Sequence, residues 1–177
     1  ARVRAACRAT GARAHVVHVA AAAALEEVRA ARAEGLPLSA ETCPHFLAFT
    51  AEDLRRLGSL LKTAPVVKSA ADRAALWRGL AQGDLQLVAS DHAAGVWPGE
   101  KRTGSIWSDY GGVPGVELLL PYLYSEGVMR GRLTLQRLVE LTSTAPARLL
   151  GVDHRKGRLE VGMDADLVAL DEEAAWT

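Results

Sequence analysis

Apolar positions follow two rhythms along the chain. His15–Val19 is a short β-branched run and predicts a buried strand, as do Leu38–Thr42 and Leu85–Ser90. Between these runs the spacing is helical. Residues 2–11 have the pattern of a helix end closed by Gly11. Ala21–Glu34 is alanine-rich and amphipathic and stops at Gly35 and Pro37. Thr50 followed by Asp53 resembles a capping box, with Asp in the usual place of Glu, and opens a helix to about Leu57. Leu60–Lys62 is short and apolar. Ser69 caps a helix from Ala70 to Leu80, and further helices are expected at Val116–Glu126, Leu135–Thr142 and Ala145–Leu150. The tail, Gly157 to Asp171, predicts a turn and then a strand over Asp166–Leu170. The longest irregular stretch is the glycine-rich loop from Asp91 to Gly115, and long ordered loops usually serve function. Strands alternating with helices imply an α/β fold: a parallel sheet covered by helices, with functional residues where strands end.

Composition narrows the function classes. The chain has 177 residues, 49% of them hydrophobic and 24% charged, which suits one globular domain and excludes disorder as the main state. Lys+Arg and Asp+Glu both number 21, so no basic face is implied and neither nucleic acid nor an anionic membrane is an expected partner. No apolar run is long enough to span a bilayer. Cys7 and Cys43 are too few for a disulfide framework, which makes a reducing cytoplasm the default compartment. The start at Ala1, without an initiator Met or signal peptide, suggests a portion of something longer.

Three groups at or just beyond predicted strand ends are candidates for one metal centre: His18, His45 and Asp91. Imidazole and carboxylate suit zinc and related divalent ions. Taken singly, His18 would be a satisfied core histidine, His45 a loop histidine after Pro44, and Asp91 an N-cap or turn residue. The coincidence of all three at successive strand ends favours a shared cation. A carboxylate beside such an ion can also take a proton from water and pass it to a leaving amine, so Asp91 is the candidate acid–base group for hydrolysis of a carbonyl–nitrogen bond. Cys43 without a neighbouring base is read as packing, Lys101 as a solvated surface lysine, and the four tryptophans as core and loop anchors.

Several segments occur in a telling order: His15-Val-Val-His-Val19, Ala40-Glu-Thr-Cys-Pro-His-Phe-Leu47, Lys62-Thr-Ala-Pro65, Ser90-Asp-His92, Gly112-Val-Pro-Gly115 and Gly162-Met-Asp-Ala-Asp-Leu167. In these the chain resembles, over nearly its whole length, the cyclic amidohydrolases, the group of allantoinase, dihydroorotase and hydantoinase/dihydropyrimidinase. The resemblance implies the C-terminal half of a metal-dependent (β/α)8 TIM barrel over residues 1–152, roughly its last four βα units, followed by part of a small β-sandwich over 153–177. It implies a binuclear metal centre, usually Zn2+, in the complete enzyme. His18 and His45 then match the two single-histidine ligands, and Asp91 the aspartate that binds metal and works as base and acid. The implied substrate is a small cyclic ureide or amide, and the implied state of the full-length enzyme is a homo-oligomer. The family's early His-x-His pair and bridging lysine have no counterpart in this chain, so the portion alone is expected to be inactive.

The details lean towards allantoinase. Ala64 precedes the Pro of Lys62-Thr-Ala-Pro65 where dihydroorotases commonly have Asn, Gly95 stands where they often carry another histidine, and Tyr110-Gly-Gly-Val-Pro-Gly115 is closer to the allantoinase pattern. Ala64, His92, Gly111 and Gly112 are accordingly the candidate substrate-binding residues, the glycines by letting backbone amides approach a ring imide. Pro65-Val-Val-Lys68 departs from the usual Pro-Pro-Leu/Ile-Arg, and Ala145-Pro146 from the usual Asn-Pro. Two other classes compete: a non-catalytic relative kept as an assembly partner, and a generic α/β ligand-binding domain. The latter predicts that His18, His45 and Asp91 lie far apart.

Overall fold

The computed structural model describes residues 1–173; the last four residues, including Trp176 and the end of the expected sandwich segment, lie outside the described residues. Three short strands form one parallel sheet in the order β1 (Ala14–Val16), β2 (Leu38–Thr42), β3 (Leu87–Val88). Ala14 lies opposite Leu38 and Val16 opposite Ala40, while Glu41 lies opposite Leu87 and Thr42 opposite Val88. Parallel neighbours need a long crossover rather than a tight turn. Helix α1 (Arg2–Thr10) precedes β1, and α2 (Ala22–Ala33) joins β1 to β2. Three α-helices and a 3-10 turn (Gly58–Leu61) separate β2 from β3, the helices being α3 (Pro44–Ala48), α4 (Ala51–Leu57) and α5 (Ala70–Gln82). Beyond the glycine-rich loop, α6 (Leu119–Tyr122) runs into a π-helical stretch, Leu123–Val128, and α7 (Leu135–Val139) runs through another, Glu140–Thr144, into α8 (Ala145–Leu149).

The two faces of β2 differ. Leu38, Ala40 and Thr42 are buried, and Leu25, Leu76 and Leu80 of α2 and α5 are fully buried in the same core. Ser39 and Glu41 alternate to the other face, where both meet His15: Nδ1 lies 2.7 Å from Ser39 Oγ and Nε2 lies 3.0 Å from Glu41 Oε2. Helices α2 and α5 approach closely because Gly79 has no side chain; a Cβ there would come within 2.8 Å of Leu25 Cδ2.

Caps fix where the helices start. Asp72 accepts from Ser69 N, and Ser69 Oγ accepts from Asp72 N, both at 3.2 Å, a reciprocal cap at the start of α5. The other oxygen of Asp72 accepts from Ala22 N at 2.9 Å, so it also caps α2, whose own N-cap, Ala21, has no side-chain acceptor. Asp53 accepts from Thr50 N at 2.9 Å at the start of α4, as the spacing of the two residues predicts.

Four sequence expectations change. The strand expected over His15–Val19 ends at Val16, and that over Leu85–Ser90 contracts to Leu87–Val88; in each case a following residue, His18 or Asp91, takes a positive φ that extended chain does not allow. Among the described residues the sheet has three strands where the resemblance implies roughly four βα units; outside them a single isolated parallel bridge joins His92 and Val113. The two helices expected at Leu135–Thr142 and Ala145–Leu150 are one continuous run: the π-helical stretch before α8 widens the turn around Pro146, which has no N–H to donate. Asp166–Leu170 forms no strand. A strand needs a partner for its backbone, none is present among the described residues, and Leu167 and Val168 are exposed.

Candidate metal centre

The carboxyl ends of the strands carry the chemistry. His18 follows β1 with φ 43° and Asp91 follows β3 with φ 47°; with Arg102 they are the non-glycine residues of positive φ among the described residues. Such a conformation costs roughly 1–3 kcal/mol and persists where the surroundings impose it, most often at functional positions. Around His18 the restraint is clear. Val19 N donates to Glu41 O at 2.8 Å, and Thr42 Oγ1 donates to Val19 O at 2.7 Å, tying the end of β1 to the end of β2.

His45 is the second residue of α3, a short helix that Pro44 starts at its first position. Its side chain is 4% exposed, and Nε2 is buried with no hydrogen-bond partner. Burial holds its pKa below the ordinary histidine value; the Asp91 carboxylate opposes that shift and His18 adds to it. The imidazole is therefore neutral at pH 7, with a lone pair available. Nε2 lies 3.8 Å from Asp91 Oδ2, too far for a hydrogen bond.

Cys43, read from sequence as packing, is fully buried and belongs to the same cluster. One ligand atom from each of Cys43, His45 and Asp91 lies within 4.8 Å of the other two. Burial, with the charges of Asp91 and Glu41, pushes its thiol far above the usual range, so it stands as a neutral thiol. The pattern Thr42-Cys-Pro-His45 could have signalled this, since residues flanking a proline at a helix start share one turn. His18 is not in this close group, though it is near enough to His45 for their charges to oppose each other.

This donor set fits a divalent cation. Two ligands each about 2 Å from one ion stand roughly 3–4 Å apart, the separation of His45 Nε2 and Asp91 Oδ2. A buried, unpartnered imidazole nitrogen otherwise carries a desolvation penalty with nothing to offset it.

The candidate substrate residues surround this cluster unevenly. His92 Nδ1 accepts from Gly115 N at 3.1 Å and from Val116 N at 3.3 Å, which leaves Nε2 to carry the proton of the neutral ring. Ala64 and Gly111 are exposed. Both polar groups of the Gly112 backbone are engaged internally: its N–H donates to Lys62 O at 2.8 Å, and its carbonyl accepts from Lys101 Nζ at 2.6 Å. Lys101 is buried rather than solvated, at 5% exposure, with Asp109 at 3% close by. Of the tryptophans, Trp77 is a core residue whose Nε1 donates to Leu47 O at 3.1 Å, whereas Trp107 is 90% exposed.

A model of the amidohydrolase family matches residues 2–176. The chain is 35% identical over 167 residues to an allantoinase of Enterococcus faecalis, covering 94% of this chain and 36% of that protein. It is 40% identical over 164 residues to an L-hydantoinase of Paenarthrobacter aurescens, covering 91% of this chain and 35% of that protein. Among solved structures, D-hydantoinase from a Bacillus sp. AR9 matches with a TM-score of 0.90 at 35% identity, over 93% of this chain and 37% of that one. The chain thus spans about 36% of the length of these relatives. Its parallel sheet and covering helices are a portion of the barrel fold these enzymes share. No helix among the described residues is long and apolar enough to cross a membrane.

Proposed function

The chain belongs to the amidohydrolase family, and from that premise we propose that it supplies the metal-binding and acid–base residues of an enzyme that hydrolyses the C–N bond of a cyclic amide, of the allantoin-to-allantoate type. The observation that carries the proposal is the buried, unpartnered His45 Nε2 facing Asp91 at 3.8 Å. The likeness to allantoinases and hydantoinases supports the substrate class, a five- or six-membered ring carrying an amide or ureide. Ala64, Gly95 and the Tyr110-Gly111-Gly112 segment favour allantoin over dihydroorotate; hydantoin and dihydropyrimidine rings are the second reading, because the identity to the hydantoinase, 40%, is above the 35% to the allantoinase.

His45 Nε2, the Asp91 carboxylate and His18 are the residues proposed to hold divalent cation, zinc in the first instance. A cation held there would supply Lewis acidity towards the ring carbonyl and acidify water. Asp91, at 39% side-chain exposure, is open to solvent on one side and against His45 on the other. In this reading its carboxylate takes the proton of the attacking water and returns it to the departing ring nitrogen. His92, oriented by the amides of Gly115 and Val116, offers Nε2–H beside Asp91 as a donor to substrate oxygen. Residues 153–177 are assigned to the sandwich segment of the whole enzyme, which is proposed to act as a homo-oligomer. Cys7 and Cys43, both free and buried, suit a reducing compartment such as the cytoplasm.

The test is turnover by the protein made from the longest open reading frame that encodes this chain, loaded with Zn2+ and offered allantoin, hydantoin, dihydrouracil and dihydroorotate. Ring opening of allantoin fastest, lost on His45→Ala and on Asp91→Asn, is the expected result. Turnover of dihydroorotate alone overturns the substrate ranking. Undiminished turnover in both variants overturns the site.

A further inference from the structure

The glycine-rich loop after β3 buries two charged side chains, Lys101 and Asp109, beside one apolar side chain, Val113. Lysine is almost never fully buried unless its charge is met. Lys101 Nζ donates to Gly112 O at 2.6 Å and to Ser59 O at 3.1 Å, joining residues far apart in sequence. Asp109 works alongside it: its carboxylate accepts from Arg102 N at 3.0 Å and from Thr103 N at 2.7 Å, and Lys62 Nζ donates to Asp109 O at 2.5 Å.

From Gly112 the chain runs back beside Asp91. A Cβ on Gly112, at φ 146°, would meet Ala93 O at 2.5 Å, and one on Gly115 would meet Ser90 O at 2.7 Å, so only glycine permits this approach. Ala93 N donates to Val113 O at 3.0 Å, and His92 Nδ1 accepts from Gly115 and Val116. Residues on both sides of Asp91 are therefore gripped by the segment 112–116, and Asp91 itself sits at its unfavourable φ of 47° between them. With two of its hydrogen bonds spent on carbonyls, Lys101 does not face a substrate.

We propose that Lys101 is a positioning residue for the candidate centre: by clamping Gly112 O against Ser59 O, its ammonium keeps Gly112–Val116 alongside Ser90–Ala93 and so aims Asp91 at His45. The proposal deepens, and rests on, the reading of that cluster as a cation site.

The experiment uses the protein made from the longest open reading frame that encodes this chain, with Zn2+ as the probe, in the native sequence and in Lys101→Ala, Lys101→Met and Asp91→Asn, with and without n-propylammonium, which restores the deleted stem and charge. Calorimetric titration gives Zn2+ affinity, and amide exchange is followed across residues 91–116 and, as a folding control, across α2 and α5. Lys101→Ala and Lys101→Met should each weaken Zn2+ binding at least tenfold and speed exchange in 91–116 while α2 and α5 keep their protection. Propylammonium should recover both properties in Lys101→Ala; n-propanol, of the same size without the charge, should recover neither. Unchanged Zn2+ affinity in Lys101→Ala, or equal recovery with n-propanol, overturns the proposal. If the native chain binds no Zn2+, the reading of the cluster falls, and Lys101 is then judged by whether the amine alone restores protection at Asp91–Ala93. A Lys101→Ala chain that loses protection throughout α2 and α5 assigns Lys101 to folding and also overturns the proposal.

Discussion

Residues 14–90 and residues 91–116 keep their shape by opposite means. In the first region three strands and the helices between them bury an apolar core: Leu25, Ala40, Leu76, Leu80 and Leu85 are fully inaccessible, and polar side chains cap helix starts and tie neighbouring elements, as Thr42 ties β2 to Val19. In the second, regular structure is almost absent, and the buried side chains are Lys101, Asp109 and a single apolar one, Val113, with Lys62 reaching in from the preceding segment. Apolar packing tolerates many sequences of similar volume. A charged knot tolerates few, because a buried ionised group must find each hydrogen-bond partner in place. The candidate centre lies at the seam, with His45 from the packed region and Asp91 at the first residue of the charged one.

That contrast can be broken from either side. The largest expected effect is chemical: Asp91→Asn should lower the proposed hydrolysis on the order of 10³-fold, the size of a lost acid–base group, while the urea midpoint stays within error of the native value. Leu76→Ala should do the reverse, removing about 3 kcal/mol of global stability by leaving a cavity in the core, read as a lower urea midpoint with exchange raised everywhere. Asp72→Ala should cost about 1–2 kcal/mol, because two helix starts lose an acceptor, and the exchange gained should concentrate at residues near Ala22 and Ala70. The smallest effect concerns acid. Hydrogen bonds from Ser59 and Thr103, with the amides of Arg102 and Thr103, bring the Asp109 carboxyl down to about 2. In an unfolded chain it would titrate near 4. Its contribution is thus complete above about pH 4 and fades as pH falls towards 2. Protection of residues 101–112 should decline across that window, and Asp109→Asn should flatten the decline.

Much of the packed region is legible in the sequence because its signals are local. β2 forms where the alternating apolar run predicts it, and α5 starts at Ser69 because Asp72 stands three residues on. Gly11 closes α1 in the left-handed conformation that glycine adopts without strain. What escapes is set by distant partners. The early ends of β1 and β3 depend on backbone angles at His18 and Asp91 that apolarity does not encode. The short helix α3 has its mark in Pro44, yet its first turn is fixed by burial of Phe46 and Leu47 in the core. Lys101 looks like a surface lysine until the carbonyls of Ser59 and Gly112 are brought to it. The run Asp166–Leu170 has the composition of a strand and lacks a neighbour to pair with. For the centre, strand-end placement singled out His45 and Asp91, whereas Cys43 enters through the turn that Pro44 imposes.

The double duty of Asp72 has one more outcome. Its carboxyl is held below the usual range, first by the Ser69 hydroxyl and then by the Ala22 amide. A single protonation therefore loosens the beginnings of two neighbouring helices at once. The openings of these two segments should share one rate and one acid dependence, like two doors hung on the same hinge.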